Sequence, residues 1–134
     1  MTRKQARETL FTLLYERIYH KEAAPEVLLA DAQQYSDWEA DPYITDGFLG
    51  ICEKEAEIDK QIQAHAHGWK INRISGVSIA ILRLCVYEIL FCEDIPDSVA
   101  MNEAVELAKK YDHEDAPGFI NGIVNAVSKA KETV

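Results

Sequence analysis

Residues 77–91, VSIAILRLCVYEILF, are apolar on almost every side of the helix they would form, interrupted by Ser78, Arg83, Tyr87 and Glu88. A helix that is hydrophobic all round belongs in the middle of a fold, so the rest of the chain has to wrap it. The spacing predicts this central helix from Ser75 or Ser78 to about Phe91. A chain of 134 residues is long enough to do the wrapping as one domain, because at this size roughly two-thirds of the unfolded surface leaves water on folding. No metal or disulfide is needed. Cys52, Cys85 and Cys92 are odd in number and sit in apolar runs, which suits small buried hydrophobes in a reducing cytoplasm better than a disulfide framework. The start, MTRKQARETL, lacks the apolar segment of a signal peptide, and no apolar stretch is long enough to span a membrane. A cytoplasmic protein with no membrane association is expected.

Apolar residues recur at helical spacing nearly everywhere and strand-like alternation is absent, which predicts an all-α fold. The first helix is expected from about Thr2 to His20, with Leu10, Phe11, Leu14 and Ile18 on one stripe. A second starts at Pro25. A third starts near Pro42 and is bent or broken around Glu53 to Glu57, with Gly68 as a stop signal beyond it. After the central helix and a turn around Pro96, a sixth runs from about Ala100 to Tyr111. The last starts near Asp115, with a carboxylate cap and Pro117 in its first turn.

Catalytic and metal-binding arrangements are not found. His65 and His67 lie about 200° apart on a helix, not on one face as a helical zinc pair requires. Cys85 and Cys92 share a face, but it is the apolar one. The six glycines form no phosphate-cradling pattern. The expectation is a protein that is not an enzyme and uses no cofactor.

Charge is more informative. The net charge is −9, yet residues 1–21 carry five cations against two carboxylates, and residues 22–69 carry eleven carboxylates against two lysines. A basic end suited to an anion thus joins an acidic body suited to a basic protein. On the first helix the apolar stripe turns basic at Arg3 and Arg7, with Lys4 at its edge. Buried, such charges would cost several kcal/mol each, so the first two turns are expected to project, as an anion-binding tip or as a frayed, solvated terminus. Gly118 and Gly122, one turn apart, are read as allowing close approach of another helix. Asn121 lies on the polar side with Asn125. Phe119 is either core or a stacking platform for a base.

Several stretches taken together resemble the NusB transcription antitermination family: ARETLFTLLYE (6–16), AILRLCVYEI (80–89), and above all IPDSVAMNEAVELAKKY (95–111) followed by FINGIVN (119–125). The resemblance implies about seven helices in two small packed subdomains and a role without catalysis. It implies binding of single-stranded box A RNA together with NusE, a ribosomal protein of the small subunit, so that RNA polymerase in the antitermination complex resists termination on ribosomal RNA operons. Position by position it implies RNA contacts at Arg3, Lys4, Arg7, Tyr15, Arg83, Tyr111, Phe119 and Asn121. The alternative is a protein-only scaffold or homodimer. The expected picture is a projecting cationic tip beside a patch of rings and amides.

Overall fold

Helix α5 (Gly76–Phe91) is buried around most of its circumference, with ten buried positions from Ser78 to Ile89. In the computed structural model, which describes residues 1–36 and 38–132, the other helices wrap it as the all-round apolar pattern requires. They are α1 (Arg3–Ile18), α2 (Pro25–Tyr35), α3 (Pro42–Glu53), α4 (Glu55–His65), α6 (Asp97–Tyr111) and α7 (Ala116–Glu132). A short 3-10 turn, Ile71–Arg73, joins α4 to α5. Helix α5 packs on α1, α3, α4, α6 and α7, whereas α2 sits outside, on α3 and the edge of α1. No strand occurs among the described residues, and no helix among them is long and apolar enough to cross a membrane.

The boundaries follow local chemistry. Thr2 and Gln5 close a reciprocal capping box: Thr2 Oγ1 accepts from the Gln5 amide at 3.1 Å and Gln5 Oε1 accepts from the Thr2 amide at 2.8 Å. Pro25 and Pro42 begin α2 and α3, where a missing N–H costs nothing. The expected break in the third helix falls at Lys54, so α3 and α4 are separate. Gly68, at φ 81°, takes the left-handed conformation just past α4. Helix α6 starts three residues earlier than expected, because Pro96 ends the turn and Asp97 already favours a first-turn position. At α7 the Asp115 carbonyl, not its carboxylate, receives the Phe119 amide.

One expectation about packing is overturned. A Cβ added to Gly118 or Gly122 would meet nothing within 4 Å, because the inward stripe of α7 is Ala116, Ile120, Ile123 and Val127 and both glycines fall on its far side. The close approach lies elsewhere. A Cβ on Gly50 would stand 2.9 Å from Tyr87 Cζ and closer still to its hydroxyl. A turn of α3 therefore lies directly against the Tyr87 ring.

Candidate functional site

The first two turns of α1 do not project as an unpartnered cationic tip. Arg7 is only 4% exposed. Its Nε donates to Glu88 Oε2 at 3.1 Å and Oε1 at 3.3 Å, and the Tyr43 hydroxyl donates to the same carboxylate. Burial alone would lower the Arg7 pKa; the facing Glu88 and Tyr43 outweigh it and hold the guanidinium above its usual range. Burial, followed by Glu88, likewise pushes the Tyr43 phenol well up, so it remains a donor. Arg3 stays exposed but stacks over the Tyr43 ring, 4.2 Å from its centroid. The basic end of the stripe is thus tolerated in the core because Glu88, 81 positions along the chain, waits for it. Lys4 faces the seam between α1 and α6, in a cavity of about 220 Å³ shared with Lys109 and Lys110.

Arg83 is also held internally. Its Nε and Nη2 reach the two Asp59 oxygens at 2.9 and 3.0 Å, and Nη2 reaches Glu55 at 3.1 Å. Glu55 in turn holds Arg17 at 2.8 Å. Helices α1, α4 and α5 are tied together by these alternating charges, which engage two of the three guanidinium nitrogens of Arg83.

The remaining expected residues gather around the other end of α5, its N-terminus. Tyr15 lies beside Gly76, with its Cε1 3.2 Å from where a Cβ would stand, and Tyr19 touches the same glycine through its hydroxyl. The two tyrosine rings meet edge to face at 5.3 Å. Tyr111, 43% exposed, packs on Phe11 with centroids 5.1 Å apart, and the adjoining Asp112 carboxylate accepts from Ser78 Oγ in the first turn of α5. Phe119 meets Trp69 edge to face at 5.8 Å, and this pair walls a cavity of about 320 Å³ that also holds Arg73, Ser75, His113 and Asp115. Asn121 is exposed two residues beyond Phe119, where it accepts from Asn125 Nδ2 at 3.0 Å and keeps its own amide protons for solvent or a ligand. The α5 N-terminus carries the positive end of its dipole with no acidic residue in its first turn.

The expected site is therefore only partly assembled: Lys4 shares a cavity with Lys110, next to Tyr111, while the Arg7–Glu88 pair lies toward the other end of α5 from Tyr15. Glu88, the anchor of Arg7, lies twelve positions along α5 from Gly76, about 18 Å at 1.5 Å per residue. Trp69, Arg73 and Tyr19 join the ring patch in their place. The sequence signal for them is GWKINR, an aromatic interleaved with two cations after a helix stop, which periodicity treats only as a terminus. The thiols take no part: burial pushes Cys52 and Cys92 up to about 11 and Cys85 higher still, so all three stay protonated at neutral pH.

Comparison with known proteins gives a consistent result. The family model described as NusB family matches residues 3–129. The transcription antitermination protein NusB of Clostridium novyi (strain NT) is 40% identical over 134 residues, covering 97% of this chain and 100% of that one. Its counterpart in Acetivibrio thermocellus is 43% identical over 132 residues, covering 98% and 91%. Among solved structures, T. maritima NusB superposes with a TM-score of 0.85 at 32% identity, covering 96% of this chain and 92% of that one. A crystal structure of antitermination factors NusB and NusE in complex with dsRNA gives 0.82 at 30% identity, covering 96% of both.

Proposed function

The chain belongs to the NusB family, and from that membership we propose that it is a transcription antitermination factor which holds box A RNA on the aromatic patch around the α5 N-terminus. It works in the cytoplasm by assembly and without catalysis, together with a NusE-type ribosomal protein, and helps RNA polymerase resist termination on ribosomal RNA operons. The observation that carries the RNA assignment is the Trp69–Phe119 pair beside Arg73, with Tyr15–Tyr19 and Phe11–Tyr111 around the same helix end. Unpaired bases stack on such rings at about 1–3 kcal/mol each. Carboxylate and amide groups at Asp115 and Asn121 accept from and donate to base edges. Phosphates fall to Arg73, Lys70 and Lys21, with Lys4 and Arg3 as outlying cations. Arg7 and Arg83 support the surface from inside as positioning residues.

Three phosphate contacts on a single strand give a log–log salt slope of only about −2, so a second protein has affinity to add. The test is a titration of labelled box A RNA at two salt concentrations, with and without NusE. Replacing Trp69 and Phe119 together by alanine should weaken RNA binding at least about tenfold, the equivalent of one lost stack. Arg3 and Lys4 replaced together should do less. Unchanged affinity in the ring variant, with the loss moved to Arg3 and Lys4, would refute this placement of the site.

A further inference from the structure

Gln63, exposed in the last turn of α4, turns its side-chain amide to the main chain of the segment that follows the helix. Its Nε2 donates to the Trp69 carbonyl at 2.7 Å, and its Oε1 accepts from the Ile71 amide at 2.8 Å. A primary amide presents the same kinds of donor and acceptor as a peptide group, so the two bonds form a rung between α4 and residues 69–71. Among the described residues no other side chain hydrogen-bonds to residues 66–74. The rung braces an exposed stretch between two core anchors. Ala66 is buried and Ile71 packs against the core, while residues 67–70 between them are exposed. Gly68 turns the chain there with its φ of 81°, and the Trp69 amide donates to the Ala66 carbonyl at 3.0 Å. Without Gln63 that bond alone would hold the main chain at Trp69, and the Trp69 carbonyl and Ile71 amide would turn to water.

We infer that Gln63 is a positioning residue for RNA: it fixes the main chain at Trp69 so that the ring stands edge to face with Phe119, 5.8 Å away, before a transcript arrives. The inference rests on the reading that unpaired bases stack on the Trp69–Phe119 pair. Trp69 is 54% exposed, so much of its ring is open to a base, and little but the main chain keeps it in place. A stacking platform ordered in advance spares the transcript the entropy of ordering it on binding. The rung lies where water competes for both of its bonds, so it adds little to global stability. Its effect is local, on a segment whose two ends the core already holds. Gln63 touches no base in this account and acts through Trp69.

The test uses Gln63→Ala, which removes both bonds, and Gln63→Glu, which keeps an acceptor for Ile71 and loses the donor to Trp69. Each is made in the wild-type chain and in a Trp69→Ala background, and labelled box A RNA is titrated against all of them. Thermal melts check the fold. Fluorescence anisotropy of Trp69 in a Trp38→Phe background, the chain having two tryptophans, reports the mobility of the ring in the free protein. Gln63→Ala is expected to bind RNA about three- to tenfold more weakly, the range of one net hydrogen bond, with lower Trp69 anisotropy and a melting temperature within about 2 °C of wild type. Gln63→Glu is expected to lose nearly as much, because the missing donor is the one at Trp69. In the Trp69→Ala background neither substitution should change RNA affinity by more than about twofold. Unchanged RNA affinity in Gln63→Ala, with Trp69→Ala weakening binding, would overturn the inference and leave the ring site standing. An equal loss with and without Trp69 would overturn it too, since Gln63 would then act by another route. No loss from Trp69→Ala itself would remove the ring site, and the inference with it.

Discussion

Replacing Arg7 by Met tests the claim that this arginine is structural. The Glu88 carboxylate is 1% exposed and is held by two Arg7 contacts and one from the Tyr43 hydroxyl. Methionine keeps most of the aliphatic stem packed among its neighbours and removes only the charged fork, leaving a buried carboxylate with a single donor. Breaking one side of a buried pair in this way costs about 3–5 kcal/mol. For a chain of this length the unfolding entropy is about 0.28 kcal/mol/K, so the melting temperature should fall by roughly 11–18 °C. The assay is thermal unfolding followed by circular dichroism, with the double variant Arg7→Met, Glu88→Gln alongside. Glutamine accepts from Tyr43 without a charge, so the double variant should regain most of the loss. RNA affinity of the single variant, measured well below its melt, should match the wild type. A melting temperature within about 2 °C of wild type, or a double variant no better than the single, would refute the buried-pair account. A large loss of RNA affinity in the folded single variant would return Arg7 to the RNA surface.

Two glycines should respond in opposite directions. Gly122→Ala meets open space and should stabilise by up to about 1 kcal/mol, whereas Gly50→Ala forces the Tyr87 ring aside and should destabilise by about 1–3 kcal/mol; parallel melts that moved the same way would contradict the placement of both. Asp97 gives a pH dependence: burial would raise its pKa, but bonds from Lys131 and Ser128 prevail and lower it. A carboxylate depressed in the folded state adds stability that is present above its ordinary pKa, near about 4, and is lost as pH falls through the folded value. The melting-temperature gap between wild type and Asp97→Asn should therefore hold at neutral pH and close below about pH 4; a gap of constant width would rule out the linkage.

What was legible in the sequence is what depends on near neighbours. Pro25 and Pro42 mark helix starts because a fixed φ and a missing N–H act at one position, and the all-round apolar run of α5 predicted its central place. The sequence names Tyr15, Tyr111 and Phe119 as aromatic candidates, and only the fold reveals that each has its own ring partner, Tyr19, Phe11 and Trp69, around the α5 N-terminus. What was not legible depends on distant partners. The charge of Arg7 reads as an exposed feature until Glu88 and Tyr43 are placed beside it, and Arg83 until Asp59 and Glu55 are. Trp69 gains meaning only from Phe119, fifty positions on. Gly122 shows the reverse: a local cue for contact sits on a side of α7 where an added Cβ would meet no described atom within 4 Å.

That uncovered side has a consequence for the proposed RNA path. Beyond the Phe119 ring, the outer surface of α7 presents Gly118, Asn121, Gly122 and Asn125 in succession, a lane with nothing bulkier than an amide for more than a turn. A strand leaving the ring would run close to the main chain there, within reach of the Asn121 and Asn125 amides. The methyl that would firm the helix at Gly122 would also narrow that lane, so stability and passage pull against each other at this one position.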